Sequence, residues 1–211
     1  MRTGAQSPML AVTGGKGGTG KTTTALGLAA SLAERRRDPV VIDADVDMPN
    51  LHIRAGADDS GLERLAAGES LDAAATDSDR YPGVSIVGAT PGADLERALR
   101  NVATDRPVLL DGAAGASERA VTPLRHADHA VVVSRATPAS VTDSVKSVRM
   151  SRAVQAPVLG VVLSHAAEVP PRTGQTLGAD PVLSVPPVAE PTTDQKARVV
   201  YDRLLDRWAN A

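Results

Sequence analysis

Short apolar runs recur along the chain with amphipathic stretches between them. Runs near 9–13, 39–43, 84–88, 107–111, 129–133, 157–163 and 181–185 have strand length, and Ala130 to Val133 and Val158 to Leu163 are apolar almost throughout. Continuous apolar runs belong to strands covered on both faces. Helical spacing falls between them, near 21–36, 60–67, 92–103, 117–126, 138–154 and 192–208. In the first of these, Ala25, Leu28, Ala29 and Leu32 form one apolar stripe. The alternation predicts an α/β fold, a doubly wound and mostly parallel sheet with helices on both faces. Pro39, Pro107, Pro157 and Pro181 each open a strand, where a missing N–H costs little. The stretch from Val169 to Pro187 is rich in Pro and Gly and reads as a loop with little regular structure beyond its terminal strand.

Composition narrows this picture. With 211 residues, 42% of them hydrophobic, the chain can bury one substantial core, so residues 9–211 read as a single domain behind a flexible tail, 1–8. Cys is absent, which removes disulfides, thiolate metal sites and iron–sulfur chemistry. The formal charge of −2 exerts no global pull toward nucleic acid or acidic membranes. Neither a signal peptide nor a membrane-length apolar run is present, so a cytoplasmic protein is expected. With one Trp, two Tyr and no Phe, an aromatic platform for stacking nucleic-acid bases is not expected.

The chemistry concentrates behind the first strand. There Gly14-Gly15-Lys16-Gly17-Gly18-Thr19-Gly20-Lys21-Thr22-Thr23-Thr24 lies between an apolar run and a helical pattern. Gly15, Gly20, Lys21 and Thr22 satisfy the GxxxxGK[ST] spacing of a phosphate-binding loop. In such a loop small residues let successive backbone N–H groups wrap the phosphates, a lysine reaches the outer ones and a hydroxyl serves Mg²⁺. The helix beginning at about Lys21 aims its positive end at the same phosphates. The chain has only four lysines, Lys16, Lys21, Lys146 and Lys196, and two of them stand in this loop. A flexible ammonium fits between phosphate oxygens where a planar guanidinium does not.

Further acids end later strands. Val40-Val41-Ile42-Asp43-Ala44-Asp45-Val46-Asp47 delivers three carboxylates at alternate positions, and Val108-Leu109-Leu110-Asp111 delivers one more. Ligands of open α/β sheets gather at the carboxyl ends of strands, so these acids are expected near the phosphates. The pair His126 and His129 reads as a solvated helix end in preference to a metal site, and Glu34-Arg35-Arg36-Arg37 as a helix terminus in preference to a nucleic-acid patch. On the last helix Val200, Leu204 and Trp208 share a stripe. Arg198, Arg203 and Arg207 are largely offset by Asp202 and Asp206, which favours core packing over a membrane-bound amphipathic helix.

The KGGTGKTT run, with Lys16 at its head, resembles the deviant Walker A motif of the MinD/ParA ATPases, a branch of the P-loop NTPases. The resemblance extends in order through Asp43 to Leu51, the first switch; Asp111 to Gly115, the Walker B segment; and Val185-Pro186-Pro187, a proline loop. It implies a Mg-ATP-binding ATPase that forms a homodimer around nucleotide and meets a regulatory protein partner. Lys16 would then be the signature lysine that reaches the partner subunit's phosphates. Gly15, Gly17, Gly18, Thr19, Gly20, Lys21, Thr22 and Thr23 would cradle the phosphates, with Lys16 and Lys21 also catalytic. Asp45 would orient the attacking water, and Thr22, Asp43 and Asp111 would serve Mg²⁺. Ser164 stands where the family commonly has an Asn toward the base, and Pro186 completes that side. Gly112 and Ala113 replace the usual Thr and Pro. The expected work is positioning of a division site, a surface organelle or a DNA cargo, in the cytoplasm or peripherally at a membrane or cell pole. Membrane and DNA binding find no support in the residues. A scaffold gated by nucleotide with little turnover and a metallocentre-maturation ATPase are the alternatives, and the lack of Cys weighs against the latter.

Overall fold

The computed structural model describes residues 8–115 and 117–211; apart from Pro8, the expected tail lies outside them. The apolar runs form β1 (Met9–Gly14), β2 (Val40–Ala44), β4 (Ser85–Val87), β5 (Val108–Ala114), β6 (His129–Arg135), β7 (Val158–Ser164) and β8 (Val182–Val185). With a short edge strand, β3 (Thr76–Asp77), they make one sheet in the order β3-β4-β2-β5-β1-β6-β7-β8. Among the described residues only the β3–β4 pair is antiparallel. The chain moves outward from β1 in one direction through β2 and β4, then returns through β5 and continues through β6 to the other edge. The strand order therefore reverses around β1, the position where open α/β sheets bind ligands.

Successive β1 side chains point to opposite faces. Leu10 and Val12 join α1 (Lys21–Glu34) and α9 (Gln195–Ala209) in one core. Met9 and Ala11 join α3 (Gly61–Ala66), α5 (Leu95–Arg100) and α6 (Glu118–His126) in another. Val132 and Val161 pack with α7 (Pro138–Ala153) and α8 (Thr173–Leu177). Aliphatic residues fill these layers, each fully buried one stabilising the fold by about 1.5–3 kcal/mol relative to exposure. The prolines that open strands still accept hydrogen bonds: Val40 N–H donates to Pro107 O at 2.9 Å, and Ala130 N–H to Pro157 O at 3.0 Å.

Some boundaries differ from expectation for local reasons. α1 stops at Glu34, and the chain beyond it takes left-handed backbone at Arg36 (φ 57°) and Asp38 (φ 49°). Arg35 reaches α9, pairing with Asp202 at 2.8 Å and Asp206 at 2.7 Å, so part of the basic run fastens the last helix. The 92–103 segment shortens to α5, because the Asp94 side chain caps Arg97 N–H. Three short helices escaped the periodicity: α2 (Leu51–Ala55), α4 (Leu71–Ala74) and α8, the last inside the stretch expected to be irregular. None is long enough to show a repeat. α9 buries Val200, Tyr201, Leu204, Leu205 and Trp208, as its stripe predicts. Among the described residues no helix is long and apolar enough to cross a membrane.

Candidate functional site

The phosphate loop leaves the end of β1 and turns into α1 through Gly20, whose φ of 93° is left-handed. Its approach to the sheet is close: a Cβ at Gly14 would lie 2.3 Å from Val133 O. Thr19 Oγ1 donates to Lys16 O at 3.2 Å, and Lys21 Nζ donates to the same carbonyl at 3.4 Å, which folds the loop back on itself. Neighbouring strands brace it from outside. Ser164 Oγ, at the end of β7, donates to Thr19 O at 2.6 Å, and Arg135, at the end of β6, donates to Gly18 O at 3.0 Å. Arg135 was not singled out from the sequence, although a cation ending the strand adjacent to the loop strand is a readable signal. Ser164, expected to meet the base, has its hydrogen directed to the loop and keeps only acceptor capacity toward the cavity it lines.

Lys21 is buried, and its ammonium lies below its ordinary pKa because of desolvation, opposed by the charges of Asp111 and Asp45. Lys16 is different. Its side chain is 55% exposed and pairs with Asp143 on α7 at 3.1 Å. The ion pair holds the Asp143 carboxyl below its usual range.

Two acids sit side by side. Parallel pairing sets Asp43 of β2 opposite Asp111 of β5. Burial pushes Asp43 up to about 6, against three stabilising N–H donors from Leu51, Asp45 and Asn50. Asp43 Oδ2 accepts from Leu51 at 3.0 Å and Asn50 at 3.1 Å, and Oδ1 from Asp45 at 3.1 Å. Asp43 thus ties the first switch and the start of α2 to the sheet. Asp111 is pushed up to about 7, first by burial and next by the Asp43 charge, while a hydrogen bond from Thr22 and the Lys21 charge oppose the rise. Its Oδ1 is buried without a partner.

That orphaned oxygen beside the Thr22 hydroxyl fits Mg²⁺. Among the described residues no three acidic or His side chains form a ready-made cage. Mg²⁺ at phosphates takes only one or two protein groups and completes its shell with water and phosphate oxygens, so none is needed. Asp45 is half-buried, accepts from Met48 N–H at 3.3 Å and acts electrostatically on both Lys21 and Asp111. Asp47 turns outward and pairs with Arg119 of α6.

The segment after Asp111 stays in β5 through Ala114, and Gly115 N–H donates to Gly14 O at 3.1 Å, binding it to the phosphate loop. A Cβ at Gly112 would lie 2.8 Å from Val12 O, so this close approach explains glycine where the resemblance led one to expect threonine.

Beyond Gly20 a cavity of about 380 Å³ opens between α1 and the proline loop, lined by Thr23, Thr24, His165, Pro186 and Tyr201 among others. Its volume lies within the range of small-ligand sites. Tyr201 hydrogen-bonds to Thr24, and burial raises its phenol. The two histidines expected at a solvated helix end part company: His126 ends α6, 3.4 Å from Glu96, and His129 opens β6, both half-buried.

Residues 10–175 match the CobQ/CobB/MinD/ParA nucleotide binding domain. The chain belongs to this family. An uncharacterised ATP-binding protein of Methanocaldococcus jannaschii is 26% identical over 194 residues, 84% of this chain and 73% of its own length. The septum site-determining protein MinD of Buchnera aphidicola is 30% identical over 151 residues, 64% of this chain and 56% of its own. This chain therefore spans roughly half to three quarters of these relatives. Among solved structures, the cell division ATPase MinD of Pyrococcus furiosus superposes with a TM-score of 0.80 at 21% identity, covering 97% of this chain and 99% of that one. The MinD of Pyrococcus horikoshii complexed with Mg-ADP gives 0.73 at 24%, covering 96% and 86%. These similarities show the P-loop NTPase fold, and the site residues described above fit ATP with Mg²⁺.

Proposed function

We propose that this member of the family is a MinD/ParA-type ATPase, which binds Mg-ATP, dimerises through it and hydrolyses it to drive spatial positioning. The observation that carries the reading is the division of labour between the loop lysines. Lys21 is buried, with its Nζ donating to the Lys16 carbonyl, whereas Lys16 is exposed and pairs with Asp143. A second loop cation that does not serve its own phosphates is suited to those of a second copy.

In this reading the N–H groups of Gly15 to Thr23 wrap the phosphates, and Lys21 neutralises charge on the outer ones. Thr22 and Asp111 hold Mg²⁺, which supplies charge neutralisation at the phosphate oxygens when bound. Asp43 keeps the first switch seated by its three backbone contacts, so that Asp45 orients water toward the terminal phosphate. Phosphoryl transfer depends mainly on positioning and charge, so Asp45 need not be a strong base. Pro186 and Ser164 border the base. The MinD relatives are named for septum placement, which supports a positioning role and a regulatory protein partner here. A scaffold that binds nucleotide with little turnover is the second reading, favoured by the β5 extension through Gly112 and Ala113, which fixes the segment after Asp111.

Calorimetry with Mg-ATP and a steady-state ATPase assay test the proposal together. Binding is expected in the wild type and lost in Lys21→Ala. Wild-type affinity in that variant contradicts the assignment, and binding without turnover selects the scaffold.

A further inference from the structure

The base cavity has a third wall that the phosphate-loop pattern does not supply. Besides Pro186, Arg54, Arg80 and Tyr81 line it, residues outside every motif of the family resemblance. Arg54 belongs to α2, the helix whose first N–H groups are held by Asp43. Arg54 Nε donates to Asn50 Oδ1 at 3.2 Å, and Arg80 Nη1 donates to Arg54 O at 3.3 Å, so Arg54 is steadied from both ends. Among the described residues neither guanidinium has a carboxylate partner, whereas Arg35, Arg64, Arg100 and Arg106 all do. An exposed and steadied arginine without a carboxylate partner among the described residues, lining a cavity that also holds Val185, Pro186 and Tyr201, is suited to a flat, electron-rich ligand surface. A guanidinium is planar and weakly hydrated, and it lies parallel on π faces, whereas an ammonium offers only a strongly hydrated point charge.

We infer that Arg54 closes the cavity by stacking on the face of the purine, making it a binding residue for the base half of the nucleotide. The inference rests on the nucleotide reading of the loop and deepens it. Because Arg54 and Asp45 are joined through Asn50 and Asp43, base occupancy also bears on the position of the first switch. Stacking does not read the edge of a base, so Arg54 contributes to ATP and GTP alike.

The test compares calorimetric affinities for Mg-ATP and for inorganic tripolyphosphate with Mg²⁺, in the wild type, Arg54→Ala and Arg54→Lys. Arg54 is exposed, and melting curves of both variants verify that they fold. The expected result is a loss of about five- to thirtyfold for ATP in Arg54→Ala, the range of cation–π and base-stacking contributions, with tripolyphosphate unchanged and at most a partial rescue by Lys. Unchanged ATP affinity overturns the inference. Equal losses for both ligands, or full rescue by Lys, overturn it too, because they make Arg54 a charge and not a stacking plane. A wild type that binds tripolyphosphate but not ATP removes the base cavity alone. One that binds neither removes the nucleotide reading, and the clamp with it.

Discussion

Lys16 Nζ lies 3.1 Å from Asp143 Oδ2, so the exposed lysine of the loop is held by an acid on α7. Asp143 also lies 3.7 Å from Lys146, and a Cβ on Gly15 would lie 2.6 Å from Asp143 Cβ, which places α7 directly against the loop. For Lys16 to reach a second subunit, this contact must open. Exposed ion pairs contribute little to stability, so the contact costs little to break. Asp143→Ala is expected to leave the melting temperature within a degree or two and to lower the ATP concentration at which dimers form. Sedimentation velocity across an ATP titration checks it; an unchanged midpoint removes Asp143 as a restraint.

Asp45→Ala is expected to retain Mg-ATP affinity within about threefold and to lose most turnover, because the proposed role of this acid is to orient water and not to hold the phosphates. A single-turnover assay reads the chemical step directly. Unchanged turnover moves the role to Asp47, the exposed neighbour that pairs with Arg119.

The acids beneath the loop carry a pH signature. Asp43 and Asp111 have folded-state values raised to about 6 and about 7, above the 3.8 of the free side chain. Groups raised in this way favour folding most below the unfolded value, and that contribution is lost as pH rises through the folded value. Metal-free protein is therefore expected to lose stability between about pH 4 and 7, and Asp111→Asn should flatten the loss. Mg²⁺ competes with the same protons, so Mg-ATP affinity should rise over the upper half of that window. Denaturant melts from pH 4 to 8, with and without Mg²⁺, check both signs.

Gly27 faces the ring of Tyr201, and a Cβ there would lie 2.2 Å from it. Gly27→Ala is expected to destabilise the fold by about 1–3 kcal/mol through overpacking, despite the better helix propensity of Ala. Because Tyr201 lines the base cavity, the same variant should weaken ATP more than tripolyphosphate. Thermal melts and calorimetry decide; a stabilised protein would mean that α9 yields readily.

Much of this architecture was legible in the chain. The seven apolar runs are strands, and the loop's residue spacing places Lys21 and Thr22 at the start of α1 because only a strand-turn-helix puts them there. Asp43 and Asp111 stood out as strand-ending acids, yet their adjacency follows from strand order, which local periodicity does not encode. The same holds for Arg135 and Ser164, whose roles depend on which strands flank β1. Short pieces such as α2 and β3 are fixed by tertiary contacts and not by propensity, so Arg54 on α2 reached the cavity unannounced.

The central claim is that Lys16 serves a second copy of the chain. Multi-angle light scattering with a non-hydrolysable ATP analogue and Mg²⁺ tests it most directly. The account predicts a monomer without nucleotide, a dimer with it, and a Lys16→Ala variant that binds the analogue but remains monomeric. A wild type that stays monomeric at saturating analogue, or a Lys16→Ala variant that dimerises normally, would contradict it.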